Sequence, residues 1–267
     1  MDISYIILTW NSQKYINICV NSIIDDIKGS NFKIEIFIID NGSQDKTFEQ
    51  IQNLTENYPD IVKPILLSRN YGTTYSRNLA LKRASGRYLC ILDSDIEIIN
   101  PGLSDALIKT LDLNPKFGLV APRLLYPNGN LQKSTDQFPT IIRKFYRYFF
   151  LKKIEKYERE NSQNLQKQPV DYAISALWMF NRATFQKVGL LDEKIFYAPE
   201  DVDYCLRIWK SNLMVIYEPS VSAVHHTQEL SRNFRLNKAT INHLLGLLYF
   251  FYNHRFFFIK PKFKETK

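Results

Sequence analysis

Asp93-Ser94-Asp95 follows the apolar run Tyr88-Leu89-Cys90-Ile91-Leu92. Two carboxylates two residues apart at a strand end can hold a hard divalent cation. Such a cation stabilises the negative charge that grows on a diphosphate as it leaves. The pattern by itself is weak. About one Asp-x-Asp is expected by chance in a chain this rich in Asp, and a second stands at Asp201-Val202-Asp203. Position favours the first, because a strand delivers both carboxylates to one edge; turn or cap residues are the plain alternative. Asp40 ends another apolar run and precedes Asn41-Gly42-Ser43. A carboxylate there can accept the imide N–H of a uracil or thymine, or simply close an Asx-turn. Glu200-Asp201 opens an apolar-periodic segment and follows the aromatic Phe196-Tyr197 turn. One of these acids can serve as the base that deprotonates an attacking hydroxyl. Acids that complement a helix dipole would look the same. His225-His226 follows an apolar strand, and imidazole is a reasonable third ligand for a Mn²⁺-like ion; an ordinary exposed pair is the alternative.

The elements that must position these residues alternate. Tyr5–Thr9 reads as a strand buried on both faces. Ile16, Cys19, Val20, Ile23, Ile24 and Ile27 recur at helical spacing. Strands follow at Lys33–Asp40, Val62–Leu67 and Arg87–Leu92, with helices opening near Asp45 and spanning Tyr75–Ala84. This order predicts an open, mostly parallel α/β sheet. Ligands of such sheets lie at the carboxyl ends of the strands, where Thr9, Asp40, Arg69 and Asp93 fall. The later part is less regular. It reads as a helix at Ser104–Leu113, a hairpin turn at Asn128-Gly129, a basic aromatic helical stretch from Arg143 to Arg159, and a strand-like run at Val170–Phe180. A helix at Asp201–Lys210 follows, then short strands at Val215–Tyr217 and Val221–Val224, and a helical pattern from Arg232 onward.

The chain has 267 residues, 45% of them hydrophobic, and a net charge of +8. That composition supports a folded core and an anionic partner. Cys19, Cys90 and Cys205 are too scattered for a disulfide framework or a zinc site; Cys90 and Cys205, in apolar-periodic segments, read as buried thiols, which fits a reducing cytosol. The start, Met1-Asp2-Ile3-Ser4, carries no signal-peptide pattern. The longest apolar run, Leu244–Tyr252, is too short to span a membrane.

In this order and spacing the motifs resemble the inverting family 2 glycosyltransferases of GT-A fold. The matching residues are Ile7-Leu8-Thr9-Trp10-Asn11, Ile38-Ile39-Asp40-Asn41-Gly42-Ser43 with Asp45, and Asn70-Tyr71-Gly72 with Arg77-Asn78. They continue with Gly86-Arg87-Tyr88 leading to Leu92-Asp93-Ser94-Asp95, then Val188-Gly189-Leu190-Leu191-Asp192-Glu193, and last Glu200-Asp201-Val202-Asp203-Tyr204-Cys205-Leu206-Arg207. The resemblance covers about Ile3 to Ser231. It implies a nucleotide-sugar-binding half at 1–115, a smaller mixed acceptor-side half at 116–231, and a basic aromatic helical tail at 232–267. It implies a donor set of Thr9, Trp10, Asn11, Asp40, Asn70, Gly72, Arg77, Asp93 and Ser94, with Thr9 and Asp40 on the nucleobase. Asp95 is the implied direct ligand of Mn²⁺ or Mg²⁺, Asp93 its ribose-side partner. His226, five residues before Ser231, is the candidate third ligand, and His225 is the other choice. Asp201 is the implied general base, with Glu200 beside it.

Pro122–Gln132 is similar to the rhamnosyltransferase-like subgroup, which implies a dTDP-rhamnose donor; a UDP-sugar is the other option. The family often has Gly where Ser175 stands, which touches acceptor specificity. The Gln-x-x-Arg-Trp signature of processive members is absent, which implies one sugar per encounter. The expected acceptor is a hydroxyl of a glycan or a polyprenyl-lipid-linked sugar, in cell-surface polysaccharide synthesis.

Arg143–Lys153 and Phe256–Lys264 mix aromatics with cations and suit an anionic membrane surface. Packed aromatics with solvated charges are the alternative. The expected location is cytoplasmic, peripheral on the inner face of the membrane. A noncatalytic module that binds nucleic acid or a membrane surface would explain the tail but not the strand-end acids, so no nucleic acid is expected. A dinucleotide-binding oxidoreductase would need Gly-x-Gly-x-x-Gly where Thr9-Trp10-Asn11-Ser12 stands. A nucleotidyltransferase would have a Gly-rich, basic first loop, which is missing.

Overall fold

The computed structural model describes residues 1–140, 166–227, 238–256, 258–261 and 263. The stretch Arg143–Lys153, Ser231, and Phe257, Lys262 and Lys264 of the tail lie outside the described residues.

The first half alternates as its periodicity requires. Strands β1 (Ile3–Thr9), β2 (Ile34–Asp40), β3 (Val62–Leu66) and β4 (Tyr88–Asp93) are separated by helices α1 (Ile16–Asp26), α2 (Thr47–Asn57) and α3 (Thr73–Leu81). β1 pairs in parallel with both β2 and β4, and β2 with β3. β1, β2 and β4 are buried on both faces because both faces are covered, whereas β3 lies at the sheet edge with Lys63, Pro64 and Leu66 exposed. Ile36 and Ile38 enter one core with α1 and α4 (Leu103–Leu113); Phe37 and Ile39 enter the other with α3. Successive side chains of a strand point to opposite faces, so one continuous apolar run supplies two cores.

The sheet continues into the second half with mixed direction. Its order is β3-β2-β1-β4-β11-β6-β12-β5. Here β5 is Ile96–Ile98, β6 Phe117–Leu125, β11 Leu177–Asn181 and β12 Met214–His225. β11 runs antiparallel to β4 and β6, whereas β12 is parallel to β6. The turn at Asn128-Gly129 joins β6 to β7 (Leu131–Gln132) as a hairpin. The two short strands expected at Val215–Tyr217 and Val221–Val224 are one strand, β12. Its register shifts between Glu218 and Ser222, around Pro219, which has no N–H for the ladder.

The single run expected at Val170–Phe180 is three pieces. β9 (Gln168–Val170) pairs with β12, β10 (Tyr172–Ala173) pairs with β8 (Thr135–Asp136), and β11 enters the main sheet. Between them Ser175 and Ala176 cross the sheet edge, and the Ala176 carbonyl accepts from Asp93 N at 3.0 Å. β5, β6 and helix α5 (Arg182–Val188) were not anticipated from the sequence.

Helix α6 (Glu200–Lys210) and the C-terminal helix α7 (Lys238–His254) cover the second core. Phe250 and Phe251 of α7 are buried in it. All three cysteines are buried and free. Among the described residues no helix is long and apolar enough to cross a membrane.

Gly72 opens α3 at φ +89°, and a Cβ there would overlap the carbonyl oxygen of Phe196. That backbone region is open essentially to glycine alone. Gly72→Ala is expected to cost at least roughly 2 kcal/mol of stability, read from the midpoint of urea unfolding.

Candidate active site

The carboxyl ends of β2, β1 and β4 lie side by side. Thr9 is in register with Asp40, and Leu8 with Asp93. The chain runs outward from β1 to β3 and returns on the other side at β4, so the edge between β1 and β4 is a topological switch point, where such sheets bind ligands. Thr9 is buried, and its Oγ1 has no hydrogen-bond partner among the described residues. A buried hydroxyl normally has one, which makes Thr9 Oγ1 a candidate contact for a polar ligand atom.

Around that edge the loops are tied together by side-chain amides. Asn41 Oδ1 accepts from Tyr71 N and Ser76 Oγ, both at 2.9 Å, and its Nδ2 donates to Asn70 Oδ1 at 3.1 Å. Asn70 Oδ1 also accepts from Gly72 N at 2.9 Å. Asn70 and Gly72 therefore shape the loop beside Asp40. Asp40 Oδ1 accepts from Ser43 N at 3.1 Å, closing the Asx-turn weighed as its alternative role. Ser43 Oγ in turn accepts from Asn11 N at 2.9 Å. Trp10 is exposed beside Asn11. Ser94 is buried and hydrogen-bonded to Ser12 Oγ at 2.7 Å, which pins the β4–β5 turn against the first loop.

That turn carries the metal-capable group. One ligand atom each from Asp93, Asp95 and His225 lie within 4.8 Å of one another. The β5–β12 pairing brings this about, because His225 is in register with Ile96, the residue after Asp95. His225 Nε2 is 3.3 Å from Asp95 Oδ1, and its Nδ1 is 3.0 Å from Gln132 Oε1. With the Gln132 oxygen accepting, Nδ1 carries a proton, so Nε2 either donates to Asp95 when protonated or is left with its lone pair for a cation between it and the carboxylates. Two carboxylates and one imidazole suit Mn²⁺, and also Mg²⁺ with water completing its shell. Burial opposes protonation of His225, but the hydrogen bond and charge of Asp95 outweigh it and raise the pKa.

His226 is placed differently from the sequence expectation. Its Nε2 is 2.7 Å from Glu97 Oε2, and its ring stacks on Tyr15 at 5.2 Å. β12 ends at His225, whose pairing with Ile96 turns its ring to Asp95, while His226 follows the strand and turns to Glu97.

A buried guanidinium connects the metal-capable group to the acidic helix start. Arg77, 1% exposed, donates to Asp93 Oδ1 at 2.6 Å, to Ser175 Oγ at 3.0 Å and to Glu200 Oε1 at 3.4 Å. Ser175 Oγ also donates to Glu200 Oε1 at 2.9 Å. Burial, then the charge of Asp201, push the Glu200 carboxyl up to about 8. Burial and the nearby Asp95 raise Asp93 against the pull of Arg77. Asp201 is half-buried, and its Oδ1 accepts from Val202 N at 2.8 Å in the first turn of α6. Asp203 is a structural acid. It binds Arg207 at 2.8 Å and His254 at 2.7 Å, so the second Asp-x-Asp does not form a second metal-capable group among the described residues.

Helix α7 holds the segment that leads into α6. Gly246 packs so closely on the Ala198 carbonyl that a Cβ would overlap it. Tyr249 Oη donates to Asp192 Oδ2 at 2.7 Å, and His254 grips Asp203 at the other end. Asn41 and the α7 contacts are absent from the sequence-derived site, and Ser175 entered the sequence reading only through acceptor specificity. The Asn41 motif was visible, but its role depends on a loop about thirty residues away.

A family described as Glycosyl transferase family 2 matches residues 4–189. The chain is 26% identical over 208 residues to the N-acetylglucosaminyl-diphospho-decaprenol L-rhamnosyltransferase of Mycobacterium tuberculosis, covering 72% of this chain and 66% of that protein. It is 36% identical over 127 residues to a putative teichuronic acid biosynthesis glycosyltransferase of Bacillus subtilis, 48% of this chain and 49% of that one. The chain thus spans less than two thirds of the length of these relatives. Among solved structures, it superposes on GalNAc-T7 with UDP, GalNAc and Mn²⁺ at TM-score 0.66 and 17% identity, covering 88% of this chain and 45% of that one. A mannosyltransferase from Pyrobaculum calidifontis with GDP-Man and Mn²⁺ superposes at TM-score 0.62 and 19% identity, covering 97% and 65%.

Two outcomes are expected. His225→Ala should remove the Mn²⁺-dependent rise in melting temperature, while His226→Ala keeps it. For Glu200, a folded-state pKa above the unfolded value means the native protein binds the extra proton. Its contribution is present below about pH 4.5 and is lost as pH rises toward about 8. Glu200→Gln should flatten the fall of melting temperature across that window.

Proposed function

The chain belongs to glycosyl transferase family 2 and has the GT-A fold; from that premise we propose that it moves one sugar from a nucleoside-diphosphate donor to an acceptor hydroxyl, with inversion. The observation that carries this reading is the metal-capable group of Asp93, Asp95 and His225, beside the Thr9–Asp40 edge and joined through Arg77 to Glu200.

The diphosphate is expected over Asp93 and Asp95, with the nucleobase toward Thr9 and Asp40. A bound Mn²⁺ or Mg²⁺ supplies charge stabilisation to the leaving diphosphate. Asp201 takes the proton of the acceptor hydroxyl. The acceptor oxygen bonds to the anomeric carbon as the bond from that carbon to the diphosphate oxygen breaks on the opposite face, and the electron pair leaves with the nucleotide. Glu200 supports this role by keeping its own proton. A carboxyl pushed up to about 8 is mostly neutral at pH 7, which leaves the negative charge at the α6 start to Asp201. Two adjacent acids thereby take different roles from different surroundings. Arg77 holds Asp93 and Glu200 at a fixed spacing across the site.

The rhamnosyltransferase relative and the Pro122–Gln132 segment support a dTDP-rhamnose donor, and the UDP-bound neighbour supports a UDP-sugar as the second choice. The relative's lipid diphosphate acceptor and the teichuronic acid relative support a lipid-linked or glycan acceptor in cell-surface polysaccharide synthesis, on the cytoplasmic side of a membrane.

Asp201→Asn should lower transfer by roughly 10²–10⁴-fold while donor affinity stays near wild type, measured by donor turnover and by thermal shift over a panel of nucleotide sugars. Retained turnover would remove the base assignment. Exhaustive chelation should abolish transfer and Mn²⁺ or Mg²⁺ restore it; full activity without a divalent ion would rule out the role given to Asp95.

A further inference from the structure

Helix α7 has two unlike faces. Gly246 and Phe250 are buried against the domain. On the opposite arc Leu244, Leu245, Leu248 and Tyr252 are 53%, 59%, 67% and 78% exposed. Leu244, Leu248 and Tyr252 recur every fourth residue, with Leu245 beside them, so they form one stripe. A helix that faces water carries polar residues on its outer arc; among the described side chains this arc carries leucine and tyrosine, with the exposed Asn253 at its margin. Ile259, just beyond the helix, is 78% exposed as well.

The charge carried in the sequence by the segment that holds this stripe selects its occupant. From residue 238 onward the chain holds Lys238, Arg255, Lys260, Lys262, Lys264 and Lys267 against the single acid Glu265. A second copy docked stripe to stripe would bring two such cationic tails together. A partner that is apolar and negatively charged fits both features, and an anionic bilayer is that partner. The helix has 17 residues, about 25 Å of length at 1.5 Å per residue, and it is not long and apolar enough to cross.

We propose that the outer face of α7 is the surface on which this protein lies on an anionic membrane, with the four exposed side chains in the acyl boundary and the basic tail among the headgroups. The inner face of the same helix holds Ala198, two residues before Glu200. Membrane seating therefore places the base-bearing end of α6 one helix thickness from the lipid surface. That consequence for a lipid-linked acceptor rests on the function proposed above; the binding surface itself does not.

The test is co-sedimentation of the full chain with vesicles of phosphatidylglycerol and phosphatidylcholine, or of phosphatidylcholine alone. Wild type should bind the anionic vesicles at least roughly tenfold more tightly than the neutral ones, and less tightly at high salt. Leu244→Gln with Leu248→Gln should weaken binding by roughly tenfold or more at an unchanged melting temperature and an unchanged donor-induced thermal shift. Wild type that ignores anionic vesicles, or a double variant that binds as wild type, would overturn the proposal. So would a wild-type dimer that the double variant converts to monomer, since a second copy would then be the occupant. Vesicle binding without any nucleotide-sugar response would leave this surface standing and remove the proposed function instead.

Discussion

The guanidinium of Arg77 is buried among Asp93, Ser175 and Glu200, and the geometry of the site follows from what that charge demands. An unpaired cation there would be intolerable, and breaking such a pair by removing one partner costs about 3–5 kcal/mol. Arg77 comes from α3, Asp93 from the end of β4, Ser175 from the crossing before β11, and Glu200 from the start of α6. One side chain thus forces four separate segments to converge. Two carboxyls share the positive charge unequally. Asp93 has the short contact and faces the metal-capable group. Glu200 has the long one, leans on Ser175, and is left with a raised pKa.

The acidic helix start needs support from behind, because α6 presents Glu200 and Asp201 close together at its N-terminus. The helix dipole eases that repulsion, and α7 supplies the mechanical part. Tyr249 and His254 grip acids on either side of the Glu200-Asp201 pair, and Gly246 lets the α7 backbone approach the Ala198 carbonyl closely. The C-terminal segment is therefore continuous with the core that builds the site, although the family match ends at residue 189.

The architecture was legible where local signals were strong. β1, β2 and β4 are mainly apolar runs that end in Thr9, Asp40 and Asp93, and the helices between the strands have clear periodicity. Their alternation leaves few topologies open. Legibility failed where pairing depends on distant partners. Val170–Phe180 looks like one strand because most of its residues are apolar, yet its three parts pair with four different strands. β6 is a central strand whose burial on both faces leaves no alternation to read.

By itself the sequence determined the sheet type, the strand-end acids Asp40, Asp93 and Asp95, the acidic pair at the α6 start, and the presence of a histidine near the metal-capable group. These are properties of residue type and local period, which a linear reading contains. Only the tertiary structure decided which histidine turns to Asp95, because the answer is set by the register of β12 against β5 and one residue of slip reverses it. Only the tertiary structure could place Ser175 between Arg77 and Glu200, or set α7 behind Ala198, since these contacts join residues 25 to 98 positions apart. Burial and long-range pairing give such residues their roles, and neither is written in the neighbours along the chain.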